Sequence, residues 1–146
     1  MYVVDAKRLT AAGARKIADT AIARAREAGV AVTVAVADAG GHLLLLERME
    51  GGRFHTVHSA TTKAMTAAST RRQTGSTGAQ GQSLDTIHAL GLAMAAGTAN
   101  WTAMEGGCPV LVRGECVGGV GVAGGSFEFD AQAARAAVES IGATGE

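Results

Sequence analysis

Two short, glycine-containing turns constrain the fold of this chain more than any other feature of its sequence. Asp38-Ala39-Gly40-Gly41 separates the valine-rich residues 30–37 from the apolar residues 42–48. In the same way, Arg113-Gly114-Glu115 separates residues 108–112 from residues 116–122. Each pair is predicted to be two strands joined as a hairpin, and connections this short force antiparallel pairing. The leucine run at 43–46 further predicts a strand covered on both faces.

The segments outside these hairpins show the periodicity of helices. Small and apolar residues recur at helical spacing between Thr10, a predicted N-cap, and Gly29, a predicted C-terminal cap. A second helix is predicted over residues 56–70, a short one after Ser83 as its N-cap, and an amphipathic one over residues 130–141. Residues 73–82, rich in glycine, serine, threonine and glutamine, are predicted to form a loop.

This order of elements predicts an α+β fold, with helices packed on an antiparallel sheet. The 146 residues suit one domain, 1–146, without an internal repeat or a linker. The glycine-rich residues 118–125 do not match a dinucleotide-binding fingerprint, because no βαβ unit surrounds them. A doubly wound parallel sheet is therefore not expected.

The balance of charge and apolar residues bears on the partners. Thirteen basic and thirteen acidic side chains cancel without long runs, which argues against nucleic acid and membranes. No leader or membrane-spanning stretch is evident, so we expect a cytoplasmic protein. One Trp, one Tyr and three Phe leave a core of small side chains, which favours a homo-oligomer whose subunits share surface. Cys108 and Cys116 are expected to be reduced thiols.

Three segments occur together, in order, across nearly the whole chain. They are Val36-Ala37-Asp38-Ala39-Gly40-Gly41-His42-Leu43, Lys63-Ala64-Met65-Thr66-Ala67-Ala68, and Gly106-Gly107-Cys108-Pro109-Val110 leading to Gly119-Val120-Gly121-Val122-Ala123-Gly124-Gly125, with Asp130 beyond. In this arrangement the chain resembles the GlcG/HbpS family, which includes the C-terminal domain of PduO-type proteins. The resemblance implies a profilin-like antiparallel sheet of about five strands flanked by helices, assembled as dimers or larger oligomers. It also implies a small-molecule ligand, with haem as the leading candidate.

The chain departs from the usual family pattern at two places. Arg53-Phe54-His55-Thr56-Val57-His58 precedes the second motif, where many relatives have an apolar or acidic stretch, and Glu105 follows Trp101 just before the third. At about 100° per residue, His55, His58, Thr62 and Thr66 fall on one side of the predicted second helix, opposite its alanines. That side of the helix faces either solvent or a ligand cleft.

Two functional hypotheses follow. In a haem-binding protein, His55 or His58 would be the axial iron ligand, because neutral imidazole commonly ligates haem; Met65 is a poorer candidate. Trp101, Thr62 and Thr66 would line the site. The backbone N–H groups of Gly124 and Gly125 would donate hydrogen bonds to a ligand carboxylate at the start of the last helix.

The alternative is a cofactor-free enzyme. Some look-alikes of the family condense amines with aldehydes, which suggests a Pictet–Spengler-type cyclisation of an aromatic amine stacked on Trp101. Glu105 would act as acid or base, with His55 or His58 as proton shuttle. Whether the protein is an enzyme stays open at this point.

Lys63 matches the family's motif lysine and allows two interpretations. In an apolar setting it would be a Schiff-base nucleophile; otherwise it pairs with Asp38 or Asp130 and joins helix to loop. His42 and His88 are predicted to be structural. A zinc site is disfavoured because no third ligand follows the two histidines at a suitable spacing, and Ser59 lacks a nucleophile elbow.

Overall fold

The computed structural model describes residues 1–146 as four helices and four strands. In chain order they are α1 (Ala11–Ala28), β1 (Thr33–Asp38), β2 (Leu43–Arg48), α2 (His55–Thr70), α3 (Thr86–Ala96), β3 (Gly107–Val112), β4 (Glu115–Ala123) and α4 (Phe127–Glu139). The strands form one antiparallel sheet in the order β2-β1-β4-β3, which confirms the α+β class. The sheet has four strands rather than about five, because beyond β3 only Thr144 pairs with Leu111.

The helix ends follow local capping chemistry. The Thr10 side chain accepts a hydrogen bond from the Gly13 amide, and Gly29 adopts the left-handed conformation, so both predicted caps of α1 are confirmed. Asp85, not Ser83, caps α3, since its carboxylate accepts the His88 amide at 2.8 Å. No helix is both long and apolar enough to cross a membrane.

The last helix starts earlier than predicted. Ser126 caps α4 by accepting the Phe129 amide at 3.1 Å, so the helix begins at Phe127 instead of Asp130. The predicted start at Asp130 is therefore wrong by about one turn. Asp130 is instead buried one turn into the helix.

The two faces of the sheet carry different cores. On one face, alternate residues of β1 such as Val34 and Val36 pack with α1 and α4 in a cluster of 20 buried residues. On the other face, Ala35 and Ala37 form a cluster of five with Ala60 and Ala64 of α2 and with Ala123. The small side chains on this second face let α2 approach the sheet very closely.

A glycine seam, formed by Gly119 and Gly121 of β4, brings α2 into backbone contact with the sheet. A Cβ atom added at Gly121 would overlap the carbonyl oxygen of Ala60, and one at Gly119 would overlap that of Ala64. The helix that approaches is α2, which precedes β4 in the chain.

The outer strand β2 is only partly covered, so the prediction that both its faces are covered is wrong. Leu43, Leu44 and Leu46 are 38–45% exposed, whereas Leu45 packs against the large core. The reason is the strand order, which places β2 at the edge of the sheet, where α2 covers less of it than of β1 and β4.

The two cysteines differ in environment, and neither forms a disulfide. Burial raises the pKa of Cys108 to about 12, while Cys116 is half-buried, with its thiol near the carbonyl oxygens of Ala68 and Gly118. Because only the thiolate reacts, we expect a thiol reagent at pH 8 to modify Cys116 alone in the native protein and both cysteines in denaturant. A native Cys116→Ser variant should not react. Rapid labelling of that variant would contradict the burial of Cys108.

Candidate functional site

A cavity of about 820 Å³ lies between α2, α3, the loop leading from α3 to β3, and the turn from β4 to α4. This volume is within the range of small-molecule sites. Its apolar lining residues are Ala89, Leu90, Ala93, Trp101, Ala103, Met104, Ala123 and Phe127. Its titratable or basic lining residues are Arg53, His55, His58, Lys63, Glu105 and Asp130. The arrangement is a cleft with an apolar side and a polar side.

The first two turns of α2 place His55, His58 and Thr62 along one wall of this cavity. They face the ligand space because the opposite side of the helix, with Ala60 and Ala64, is pressed against the sheet. The imidazole nitrogens of His55 and His58 make no hydrogen bond within the chain, and both residues are exposed. These nitrogens are therefore free to bind a ligand.

The hydroxyl groups of α2 are used within the helix. The Ser59 hydroxyl donates to the carbonyl oxygen of His55 at 3.2 Å, and the Thr62 hydroxyl donates to that of His58 at 2.7 Å. The same i to i−4 bond is made by Thr61, Thr66 and Thr70. Side chains that bond back in this way leave no free hydroxyl proton for a ligand.

Thr66 holds the cavity wall together and does not line the cavity. It is buried, and its hydroxyl oxygen accepts the Thr102 amide at 3.0 Å while donating to the Thr62 carbonyl at 2.8 Å. The predicted role of Thr66 as a ligand contact is therefore not what the structure shows. Thr66 instead fixes the segment that follows Trp101 against α2, while Thr62 does line the cavity.

Lys63 and Asp130 form a buried ion pair at the floor of the cavity. Their side chains are 4% and 3% exposed, and Lys63 Nζ lies 3.4 Å from Asp130 Oδ2 while donating to the Val122 carbonyl at 2.9 Å. Burial lowers the pKa of Lys63 and raises that of Asp130, and the attraction between the two charges opposes both shifts. Of the two interpretations of Lys63, the structure shows the pairing with Asp130.

One of the two backbone groups expected to bind a ligand is engaged by the chain itself. The Gly125 amide donates to Asp130 Oδ1 at 3.0 Å, and the neighbouring Gly124 amide also favours the charged form of that carboxyl and so lowers its pKa. The predicted site for a ligand carboxylate is thus filled by Asp130. Gly124 and Gly125 still line the cavity through their backbone.

Glu105 lines the cavity that Lys63 also lines. The backbone after it requires Gly106, which has φ +117° and where a Cβ atom would lie 2.5 Å from the Val122 carbonyl oxygen and 2.9 Å from Lys63 Nζ. Glu105 is exposed, and its charge favours the charged form of Lys63. Trp101 is half-buried and lines the same cavity. His55, His58, Trp101 and Glu105, on which the two sequence-based hypotheses depend, therefore line one cavity.

The remaining histidines lie elsewhere. His42 Nδ1 lies 3.2 Å from Asp38, which also accepts two backbone amides of its own turn, and His88 Nδ1 lies 2.8 Å from Asp85. Asp38 is thus engaged in its turn and is not the partner of Lys63. No group of three His, Cys, Asp or Glu side chains is arranged to hold a metal ion.

Together, the antiparallel sheet, its closely seated α2 and the cavity beside that helix define an α+β protein with a small-molecule-sized cleft between α2 and α3. The family model described as haem-degrading protein HbpS-like matches residues 9–139. The chain belongs to this HbpS-like family, and the resemblance to GlcG and HbpS proteins is confirmed.

Individual proteins and solved structures that are similar to this chain agree with the family assignment. Protein GlcG of Escherichia coli K12 is 37% identical over 91 residues, which are 62% of this chain and 63% of GlcG. The crystal structure of Klebsiella pneumoniae protein ORFY is 30% identical, covers 97% of both chains and has a TM-score of 0.83. The crystal structure of a PduOC:haem complex is 25% identical, covers 96% of this chain and 99% of PduOC, and has a TM-score of 0.82. One of these neighbours therefore carries haem.

Proposed function

We propose that this protein binds a planar, largely apolar small molecule, best represented by haem, in the cavity between α2 and α3. The observation that carries the proposal is the pair of imidazoles, His55 and His58, which line the cavity together with its apolar residues and make no hydrogen bond within the chain. The haem complex of the structural neighbour PduOC supports the choice of ligand.

The cavity meets the chemical requirements of haem. Its volume of about 820 Å³ suits a ligand of that size, and Leu90, Trp101 and Phe127 offer apolar and aromatic surface to a macrocycle. Arg53 lines the same space and would pair with a propionate, since Lys63 is already paired with Asp130. Bound haem would supply an iron centre that takes an imidazole nitrogen as axial ligand. His55 and His58 are equivalent candidates for that role.

The enzyme alternative rests on a narrower basis. Glu105, His55 and His58 line the cavity together with Trp101, as an acid/base condensation of an aromatic amine would require. None of the relatives described above is named for a condensation reaction. Haem binding is therefore the better-supported proposal, and the absorption spectrum of the purified protein separates the two.

The test is a haemin titration followed by absorption spectroscopy. We expect the wild type to give the Soret band of imidazole-ligated haem, and the His55→Ala/His58→Ala double variant to lose it, with affinity about tenfold or more weaker. Each single variant shows which imidazole is used.

His88→Ala is the matched control, because His88 is exposed on α3 and does not line the cavity. Its spectrum should equal that of the wild type. An unchanged spectrum in the double variant would mean that a residue other than His55 or His58 ligates the iron. Absence of any haemin complex in the wild type would overturn the proposal.

A further inference from the structure

Lys63 is a buried amine that lines the cavity. Its side chain is 4% exposed, yet it contributes to the cavity lining together with Asp130. The chain has only two other lysines, Lys7 and Lys16, and both are exposed. A small molecule bound in the cavity therefore meets a single lysine, one that bulk water barely reaches.

The hydrogen bonds of Lys63 do not use the whole ammonium group. Nζ donates to the Val122 carbonyl oxygen at 2.9 Å and, over a longer 3.4 Å, to Asp130 Oδ2. An ammonium group has three N–H donors, and the third makes no hydrogen bond within the chain. Apolar side chains of similar size often stabilise a fold as well as a buried ion pair does, so stability alone does not explain a lysine here.

Asp130 is held where it can exchange a proton with Lys63. Its Oδ1 accepts the Gly125 amide at 3.0 Å, which fixes the carboxylate with Oδ2 toward Nζ. Burial lowers the pKa of Lys63 and raises that of Asp130, and both shifts favour transfer of a proton from the ammonium to the carboxylate. The ion pair is therefore compatible with a nucleophilic amine, because its own carboxylate is the base that releases the amine.

We propose that Lys63 forms a Schiff base with a small, neutral aldehyde bound in the cavity, and that Asp130 is the base and then the acid of this reaction. Asp130 takes one proton from the ammonium, and the nitrogen electron pair adds to the carbonyl carbon. A proton then moves from nitrogen to oxygen to give a neutral carbinolamine. Asp130 returns its proton to the hydroxyl group, which leaves as water as the nitrogen electron pair forms the carbon–nitrogen double bond. No oxidant or reductant is consumed.

This reaction conserves the charge of the buried site. The protonated Schiff base keeps one N–H and one positive charge on the Lys63 nitrogen, opposite the Asp130 carboxylate, as the ammonium did. No uncompensated charge is left where the two side chains are 4% and 3% exposed. The remaining N–H can still donate to Asp130.

The cavity lining indicates the class of aldehyde. Asp130 and Glu105 set two carboxyl groups against the one ammonium of Lys63. A carboxylate on the ligand would add a third negative charge, so a neutral ligand is favoured. Trp101 and Phe127 offer aromatic surface in the same cavity. A neutral aromatic aldehyde, for which benzaldehyde is a suitable probe, meets both conditions.

The first test is reductive trapping with benzaldehyde and sodium cyanoborohydride, which converts a Schiff base into a stable benzyl-lysine. Peptide mass mapping compares Lys63 with Lys7 and Lys16 in the same sample. In the native wild type we expect Lys63 to be labelled at least about tenfold faster, because the bound aldehyde is held beside its amine. In denaturant the three lysines should label equally. Equal native rates, or labelling of Lys7 and Lys16 without Lys63, would overturn the inference.

The second test removes the proton carrier. Asp130→Asn keeps the shape of the side chain, and labelling of Lys63 should fall about tenfold or more while Lys7 and Lys16 label as in the wild type. An unchanged Lys63 rate would overturn the role of Asp130. The first test uses only the wild type, so it decides the Schiff base however well this variant folds.

The third test concerns ligand charge and uses para-carboxybenzaldehyde, which differs from benzaldehyde by one carboxylate. Its labelling of Lys63, relative to Lys7 and Lys16, should be about tenfold weaker. Equal relative labelling by both aldehydes would refute selection of a neutral ligand.

The inference goes beyond haem binding and fails separately from it. If the wild type binds haemin but Lys63 is not trapped, the Schiff base is refuted and the proposed function stands. If the wild type binds no haemin but benzaldehyde is trapped at Lys63, the proposed ligand fails and the Schiff base stands.

Discussion

Replacing Gly121 by alanine is expected to lower the free energy of unfolding by about 3 kcal/mol, one of the largest effects of any single substitution in this chain. The added methyl group would overlap the Ala60 carbonyl oxygen and press on the Ala64 amide. Both are backbone atoms of α2, which cannot rotate away as a side chain does. The whole helix must move from the sheet, and the His55 and His58 wall moves with it.

Thermal and urea unfolding measure this effect, and a chain of this size should lose about 10 °C in Tm. Gly40→Ala is the control, since the nearest atoms to its Cβ would be side-chain atoms, those of the exposed, movable ring of His42 at 2.9 Å and Asp38 Oδ1 at 3.4 Å. That variant should unfold within about 1 kcal/mol of the wild type. A Gly121→Ala protein as stable as the Gly40→Ala protein would mean that α2 is not in backbone contact with β4.

Removing one partner of the buried ion pair is expected to cause the second large loss in the free energy of unfolding. Asp130→Leu leaves the Lys63 ammonium without its carboxylate in a site where the side chain is 4% exposed, and the expected loss is about 3 kcal/mol. The same substitution removes the acceptor of the Gly125 amide. The double variant Lys63→Met/Asp130→Leu should recover much of the loss, because no buried charge remains.

A double-mutant cycle from urea unfolding separates these contributions. The two single changes should each cost more than the double change, which gives a coupling energy of about 1 kcal/mol or more. Strictly additive losses would show that Lys63 and Asp130 do not depend on each other. In that case the 3.4 Å contact between them would not be a stabilising pair.

Much of the fold could be predicted because its signals are local. The cap residues Thr10 and Gly29 and the two tight turns each act within a few residues, and they place α1 and the hairpins. The exposure of β2 could not be predicted, because it follows from the strand order, which pairs β1 with β4 and leaves β2 at the edge. Strand order is a long-range property that alternation along one strand does not encode.

The candidate site could likewise be predicted from local signals but not from contacts between residues far apart in the chain. Helical periodicity put His55, His58 and Thr62 on one face, and the structure places all three along the cavity. Thr66 belongs to the same face in the sequence but is covered by the segment at Thr102, a contact between residues 36 positions apart. The sequence indicated Asp130 only as a possible partner of Lys63. No local pattern shows that its carboxylate also accepts a hydrogen bond from the Gly125 amide.

The internal hydrogen bonds of α2 have a consequence for how tightly an apolar ring can be held. A hydropathy scale scores the Ser59 and Thr62 side of this helix as hydrophilic. Yet each hydroxyl is already satisfied by a carbonyl oxygen of the preceding turn, at 3.2 and 2.7 Å. A ring laid against these two side chains displaces water without breaking the hydrogen bond that either hydroxyl group donates, so the desolvation cost of burying the two hydroxyl groups is small. The water that a ligand must replace on this wall is therefore chiefly that of the His55 and His58 imidazoles, which a bond to the ligand would offset.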